Sequence, residues 1–254
     1  MIIIKLGGSV ITDKTRPCTP NMEAIERITR EISSSEERMV VVHGAGSYGH
    51  FKADKYADIL RSKHPSKVNP IVNEIHRDLL ELSLLVLEGM KKAGIHGMLL
   101  PAHAIASAMS GRVKVNGRII KGFLRLGFTP LSNGDIILSG KRNFTICSGD
   151  KLIVSIAREI KPDKVIFITN VDGIIKDGAV AEALTINDEI DEIEKGKGCK
   201  DVTGDMQIKW EASRELARMG IRSIFVNGRV PGRVRSLLQG KDVVSTVVRP
   251  RKKE

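Results

Sequence analysis

The sequence contains few of the residues typical of disulfide-stapled, membrane-spanning or aromatic-rich nucleic-acid-binding proteins. Its 254 residues include three cysteines, six Phe, two Tyr and one Trp. The cysteines, Cys18, Cys147 and Cys199, are scattered and odd in number, so they predict neither a disulfide framework nor a metal-binding spacing. Apolar runs stop short of the roughly 18 residues that a transmembrane helix needs. The opening MIIIKLGGS is too short for a signal peptide, and we expect a cytoplasmic protein.

The charge balance is basic, with 41 Lys and Arg against 30 Asp and Glu and a net charge of +11. Such an excess suits nucleic acid, an anionic membrane or small anionic substrates, and it also occurs on ordinary basic surfaces. Part of it lies in the run RPRKKE at 249–254. Helix-turn-helix, zinc and RNP-like patterns are absent from the sequence. We therefore expect neither a nucleic-acid partner nor a membrane partner, and nucleic-acid binding stays an alternative that rests on charge alone.

Hydrophobic patterns alternate between strands and helices along the chain. This alternation predicts an α/β fold whose mainly parallel sheet carries helices on both faces. An apolar stripe at 3.6-residue spacing on the helix at 71–92 is either core or a wall for a ligand tail. Strands are predicted at 2–6, 39–43, 97–102, 164–174, 222–228 and 245–248, and helices at 21–33, 71–92, 150–160 and 206–219.

Two Asn-Gly pairs occur in the middle of the chain. Asn116-Gly117 predicts a β-hairpin over 112–123, and a second Asn-Gly pair separates two short strands within 128–140. The segment KPD near 160–163 is the best candidate for a boundary between two α/β halves. We predict one domain over 1–254, with an N-terminal lobe at about 1–160 and a C-terminal lobe at about 161–254.

Four glycine-containing turns stand next to predicted elements: KLGGS (5–9), HGAGSYGH (43–50), CSGDKL (147–152) and TGDMQIK (203–209). Ligands of open α/β sheets gather at the carboxyl ends of the strands, where glycine lets backbone N–H groups approach an anion. Each turn alone is weak evidence, since neither a Walker A motif nor a GxGxxG fingerprint is present. Together they predict an amide-lined anion site.

Charged residues within these motifs sharpen the prediction. Lys5 lies inside a buried strand, where an ammonium needs a negative partner unless it snorkels to the surface. Lys14 and Lys209 are either solvent-exposed or directed at an anion, Lys209 from the first turn of a helix beginning near Met206. Asp150 is either a helix cap or a carboxylate that orients lysines. Asp172 is a turn residue or a nucleotide contact.

Taken in order, KLGGSVITDK, HGAGSYGH, SGDKL, TNVDGI and DVTGDMQIK resemble the motifs of the amino acid kinase superfamily. The resemblance spans residue 1 to about 248. It implies a three-layer αβα sandwich with an open, mainly parallel sheet, usually as a homodimer. It also implies an ATP- and Mg²⁺-dependent kinase that binds its small-molecule acceptor in the N-terminal lobe and ATP in the C-terminal lobe.

The resemblance also assigns roles to individual positions. ATP would be contacted along its phosphates and nucleotide by Lys5, Gly7, Gly8, Ser9, Gly46, Asp172, Gly204 and Lys209. The acceptor phosphate would be contacted by Ala45, Gly49, His50 and Gly149. Lys14 would sit on the transferring phosphoryl group, so the predicted catalytic residues are Lys5, Lys14, His50 and Asp150. Asp205 replaces a glycine usual in the family, and its carboxylate would repel ATP phosphates unless it turns away or binds Mg²⁺.

The pairing of Lys14 with His50 indicates a member of the superfamily whose acceptor is a phosphate monoester. Such an acceptor is largely a dianion at neutral pH, so it needs an electrostatic clamp rather than a general base. A carboxylate or carbamate acceptor fits His50 less well. Two alternatives remain open: a kinase of the same fold acting on the phosphonate fosfomycin, and a non-catalytic nucleotide sensor. His43 is expected to be buried, and His64, His76, His96 and His103 are predicted to form no metal site.

Overall fold

The computed structural model describes residues 1–60, 62, 64–140, 144–190 and 202–250, without the side chains of 202–205. Strands and helices alternate over most of this length. The strands are β1 Ile2–Leu6, β2 Met39–His43, β3 Gly97–Leu99, β4 Ala106–Met109, β5 Arg112–Val115, β6 Thr129–Asn133, β7 Asp135–Ser139, β8 Thr145–Cys147, β9 Lys164–Thr169, β10 Ile175–Lys176, β11 Ala179–Val180, β12 Ala183–Leu184, β13 Arg222–Asn227 and β14 Ser245–Val248. The helices are α1 Gly8–Ile11, α2 Met22–Ile32, α3 Gly46–Lys55, α4 Ala57–Leu60, α5 Pro65–Lys92, α6 Ala102–Ile105, α7 Gly117–Arg125, α8 Gly149–Ile160, α9 Val202–Arg218 and α10 Arg233–Leu238.

Eight strands form the main sheet, in the order β12-β14-β13-β9-β1-β2-β6-β3. Its pairs are parallel except for β13 with β14. A smaller sheet has the order β5-β4-β7-β8. The main sheet is open and lies between two helical layers, so the predicted three-layer αβα fold is confirmed.

Alternation along β1 divides its side chains between the two cores. Ile2, Ile4 and Leu6 pack with α2 and α5, whereas Ile3 packs with α8 and α9. Because successive strand residues face opposite sides, Lys5 shares the face of Ile3 and points towards α8. This register places the one lysine of β1 against the N-terminal end of that helix.

The main sheet runs continuously through the predicted lobe boundary. β1 pairs in parallel with β2 on one side and with β9 on the other. Strands from residues 1–160 fill one half of the sheet, and strands from 161–254 fill the other half.

The predicted hairpin over 112–123 is wrong. Residues 112–115 form β5, which pairs with β4, and Asn116 precedes helix α7. Ile120 and Leu124 lie four residues apart and are both buried in the α8-side core. The 3.6-residue periodicity of the apolar positions therefore prevails over the turn preference of Asn-Gly.

Several element ends differ from the predicted ones. Helix α5 begins at Pro65 rather than near residue 71, since Pro is accepted in the first helical turn. Strand β3 ends at Leu99, because Pro101 caps α6. Helix α9 begins at Val202, about one turn before Met206. Within the described residues, none of the helices has both the length and the apolarity that a bilayer crossing requires.

Candidate active site

The loops after β1 and β2 touch each other backbone to backbone at the carboxyl edge of the sheet. A Cβ at Gly8 would collide with the backbone nitrogen and Cα of Gly46. Gly46 adopts φ +51°, a left-handed conformation that glycine accepts without strain. Thr12 ties the loops together, because its hydroxyl donates to the Gly8 carbonyl (2.7 Å) and accepts from the Ser47 amide (3.0 Å). Glycine at positions 8 and 46 is thus required by the close approach.

A buried cluster of three charged side chains lies beside these loops. The Lys5 ammonium donates to both Asp150 carboxylate oxygens, at 2.6 and 2.7 Å, and the Lys209 ammonium lies 3.8 Å from Asp150 Oδ2. All three residues are 3% exposed. Ser148, rather than Asp150, caps helix α8 by accepting from the Lys151 amide. The Asp150 side chain is therefore available to hold both lysines.

This cluster of Lys5, Asp150 and Lys209 places two buried ammonium groups around one carboxylate. A buried charge is costly unless it is paired, and Asp150 lies close to both ammonium groups. Two ammonium groups held beside the glycine loops are suited to attract an anion. Asp150 holds the two ammonium groups in place before any anion arrives, which is the preorganisation that phosphoryl transfer needs.

Two cavities meet at this cluster. The larger has a volume of about 1140 Å³ and is lined by Lys209 and Asp172. The smaller has a volume of about 280 Å³ and is lined by Lys5, Asp150 and His50. Ser9 and Lys14 line both cavities. Lys14 and Ser9 therefore lie where the two cavities adjoin.

The smaller cavity has a polar end and an apolar end. Helices α3 and α8 both begin at the polar end, beside Ala45 and Gly149. Helix N-termini present backbone N–H groups and a positive dipole end, which favour an anion. The apolar end is formed by Ala53, Ile75, Leu79, Ile136, Ile146 and Ile208. Such a cavity can bind a small molecule that has an anionic head and a hydrocarbon tail.

The apolar stripe on helix α5 is both part of the core and part of the wall of the smaller cavity. Ile75 and Leu79 line the smaller cavity and also pack in the core with Leu82 and Val86. Ile136 and Ile146 are wall residues that the sequence analysis did not identify, because it treated their segments only as strands. Their cross-strand pairing between β7 and β8 brings them together.

Asp172 lies on the larger cavity and is held by the protein. Its carboxylate accepts a hydrogen bond from Asn227 (3.0 Å) and one from Arg233. The hydrogen bonds from Asn227 and Arg233 lower the pKa of Asp172 below its usual value. Asn227 and Arg233 were not identified from the sequence. The polar turn after the apolar run of β13 was the available signal for Asn227.

Most of the predicted site residues line one of the two cavities. The smaller cavity is lined by Lys5, Gly8, Ser9, Lys14, Ala45, Gly46, Gly49, His50, Gly149 and Asp150, and the larger by Ser9, Lys14, Asp172 and Lys209. The side chains of Gly204 and Asp205 lie outside the described residues, so their predicted contacts are left open.

Three details of the predicted site require correction. The Gly7 amide donates to the Ile168 carbonyl (2.9 Å), so it serves the sheet rather than a phosphate. Gly49 and His50 belong to helix α3 rather than to a turn. Lys209 lies about two turns inside α9 rather than in its first turn, because the helix begins at Val202. Its ammonium lies 3.8 Å from Asp150 Oδ2.

Three histidines outside the predicted site lie in two different environments. His43 is fully buried, with Nε2 2.8 Å from Ser83 Oγ and Nδ1 3.0 Å from the Gly44 carbonyl oxygen, as predicted. Burial lowers the pKa of His43 to about 4. His76 and His103, by contrast, converge on Asp135, an arrangement that the sequence analysis did not predict.

Comparison with known proteins identifies the family of the chain. The amino acid kinase family matches residues 1–227, and the chain belongs to this family. It is 31% identical to isopentenyl phosphate kinase of Thermoplasma acidophilum, covering 98% of this chain and 100% of that protein. It is 32% identical to isopentenyl phosphate kinase of Methanothermobacter thermautotrophicus, covering 97% and 98%. The crystal structure of the T. acidophilum enzyme in a product complex superposes with a TM-score of 0.81 at 28% identity, covering 98% of this chain and all of that one.

Proposed function

We propose that this protein is an ATP-dependent phosphotransferase that converts isopentenyl phosphate to isopentenyl diphosphate. Near-full-length similarity to isopentenyl phosphate kinases from two archaea supports the reaction. The structural observation that carries the proposal is the buried cluster of Lys5, Asp150 and Lys209 where the two cavities meet. Its two ammonium groups lie where a phosphoryl group would pass from donor to acceptor.

The larger cavity is the proposed ATP site, and the smaller cavity is the proposed acceptor site. A volume of about 1140 Å³ is sufficient for a nucleotide, and Lys14, Lys209 and Arg229 supply positive charge along it. Asp172 and Gly204 are proposed nucleotide contacts.

Mg²⁺ in such sites is held largely by phosphate oxygens and water, with one or two carboxylates. Asp13 and Asp172 line the proposed ATP cavity and fit that requirement. When bound, Mg²⁺ would neutralise charge on the β- and γ-phosphates. The residues of this chain then have to place and stabilise the acceptor.

The acceptor phosphate is proposed to lie at the polar end of the smaller cavity. The N-termini of α3 and α8 would bind it through Ala45, Gly49 and Gly149, and His50 would hold it in line. A phosphate monoester is largely a dianion at neutral pH, so its oxygen can attack the γ-phosphorus without a general base. As that bond forms, the bond to the β-phosphate oxygen breaks and ADP leaves. Lys14 and the buried cluster would stabilise the negative charge on the transferring group.

The apolar end of the smaller cavity favours an isoprenoid tail. Its aliphatic wall of Ala53, Ile75, Leu79, Ile136, Ile146 and Ile208 offers hydrocarbon contact to a short branched chain. Fosfomycin carries only a small epoxide and would leave much of this wall unfilled. The tail therefore distinguishes the proposed substrate from the phosphonate alternative.

Two further properties are proposed from the family resemblance and the sequence. We propose a homodimer; the exposed Met109 and Leu138 of the small sheet are apolar surface that an interface could cover. Size-exclusion chromatography with light scattering would test this by measuring the molar mass of the protein in solution. We also propose a cytoplasmic location, which fits the thiols of Cys18 and Cys147. Cell fractionation would test it.

The reaction is tested by measuring ADP release with Mg²⁺-ATP and a panel of acceptors: isopentenyl phosphate, dimethylallyl phosphate, fosfomycin, carbamate, acetylglutamate and UMP. We expect turnover selective for the isoprenoid monophosphates. Turnover with another acceptor alone would overturn the substrate but not the phosphoryl transfer. ATP binding without turnover would favour a nucleotide sensor. Salt-sensitive binding to unrelated DNA or RNA would favour the nucleic-acid alternative.

A further inference from the structure

Three side chains from distant parts of the chain converge beside the acceptor cavity. His76 Nδ1 lies 3.2 Å from Asp135 Oδ2, and His103 Nδ1 lies 3.0 Å from the same oxygen. The two imidazole rings are 4.3 Å apart and nearly perpendicular. One ligand atom from each of the three residues lies within 4.8 Å of the others. We name this group the His76–His103–Asp135 cluster.

We propose that the His76–His103–Asp135 cluster binds a divalent transition-metal cation of the Zn²⁺ type. Two imidazoles and one carboxylate are a ligand set that Zn²⁺ uses with a fourth position left to water. This site is separate from the Mg²⁺ of the proposed reaction, since Mg²⁺ prefers oxygen ligands and Zn²⁺ accepts imidazole nitrogen.

The two distances to Asp135 are compatible with a tetrahedral site. Zn²⁺ lies about 2.0–2.1 Å from nitrogen and oxygen ligands, which sets neighbouring ligand atoms about 3.3 Å apart in a tetrahedron. The 3.0 and 3.2 Å separations in the cluster are close to that value. With each imidazole proton on Nε2, both Nδ1 lone pairs face the shared position. Small side-chain movements would therefore complete the site.

The surroundings of Asp135 also suit its role as a metal ligand. Its side chain is fully buried, and its Oδ1 accepts a hydrogen bond from the Ile136 amide at 2.7 Å. Such support of a carboxylate fixes the oxygen offered to a metal. The side chains of His76 and His103 are 31% and 40% exposed, which gives a cation and its water a path to the cluster.

A bound cation would link three elements of the acceptor side. His76 belongs to α5, His103 to α6 and Asp135 to β7. Asp135 also lines the acceptor cavity beside Ile136, and Ile75 of the same wall directly precedes His76. Because a ligand that binds only the folded state stabilises it, Zn²⁺ should raise the melting temperature.

The test is a titration of metal-stripped, full-length protein with Zn²⁺, without nucleotide, followed by calorimetry and thermal unfolding. We expect one equivalent to bind and the melting temperature to rise by several degrees. Asn in place of His76 or His103 keeps an N–H donor near Asp135 but removes the ring ligand. His76→Asn and His103→Asn should lose both effects, whereas the exposed His96→Asn should keep them.

Stoichiometric binding that survives both His76→Asn and His103→Asn, or no binding by the unaltered protein, would overturn the proposal. A measurement on the unaltered protein avoids any folding defect of the variants. In that measurement Zn²⁺ should shift the imidazole NMR resonances of two histidines and leave the other four in place. Shifts of His50 instead would overturn the site. None of these outcomes depends on the proposed kinase reaction.

Discussion

Lys5 donates to both carboxylate oxygens of Asp150, at 2.6 and 2.7 Å, although 145 residues separate the two in sequence. This contact joins the central strand β1 to the first turn of α8. Lys209 reaches the same carboxylate from α9. Three elements thus meet at one buried carboxylate. The contacts of this carboxylate give the first prediction.

Asp150→Asn should destabilise the protein more than Lys5→Met does. Asparagine removes the carboxylate that both buried ammonium groups approach, which costs about 3–5 kcal/mol. Lys5→Met keeps Asp150 near the Lys209 ammonium, so it should cost less while still reducing turnover. Urea unfolding and steady-state kinetics measure the two effects. The exposed Asp163→Asn is the matched control, and equal stability losses in Asp150→Asn and Lys5→Met would contradict the charge argument.

Lys14→Met should lower kcat more than it raises either KM. Lys14 lines both cavities, so its charge is positioned for the transferring group rather than for either ground state. We expect a loss of about a hundredfold or more in kcat. Lys91→Met, at an exposed position on α5, should leave the kinetics unchanged. An unchanged kcat in Lys14→Met would place Lys14 outside the reaction.

His50→Ala should reduce kcat/KM for isopentenyl phosphate by about a hundredfold, the usual cost of one donor to a developing charge. ATP affinity should change little, since His50 lines only the smaller cavity. Calorimetric ATP binding and acceptor kinetics separate the two quantities, with His96→Ala as the control. Equal losses towards ATP and acceptor would contradict the proposed role.

Gly8→Ala should destabilise the protein by about 1–3 kcal/mol and abolish most activity. The added methyl group would force apart the two loops that touch at Gly8 and Gly46. Gly122→Ala is the matched control, because nothing lies within 4 Å of its Cβ position on α7. That change should stabilise the protein by about 0.5–1 kcal/mol. A neutral Gly8→Ala would show that the loops can separate without cost.

His43 should make stability depend on pH in the acidic range. Its pKa falls from 6.5 to about 4 on folding, because burial disfavours the charged ring. The unfolded state therefore binds more protons between those values, and stability falls as pH drops from about 6.5 to 4. The loss is roughly 3 kcal/mol at the lower limit. His43→Gln should flatten this slope in urea unfolding across that range, and an unchanged slope would contradict the assignment.

The alternating strands and helices, the parallel sheet and the glycine loops at its carboxyl edge could all be predicted from the sequence. These features follow from local hydrophobic periodicity and from the backbone preferences of glycine, and both can be recognised within short stretches of sequence. It also indicated that Lys5 needs a negative partner, because a buried ammonium is costly wherever it occurs.

Contacts between distant residues depend on the tertiary structure. Helix α7 forms where the sequence predicts a hairpin at Asn116, because burial of Ile120 and Leu124 against α8 outweighs the local turn preference. The tertiary structure also brings His76 and His103 to Asp135 across 59 and 32 residues. Such contacts depend on how helices pack and on strand register, so no local pattern encodes them.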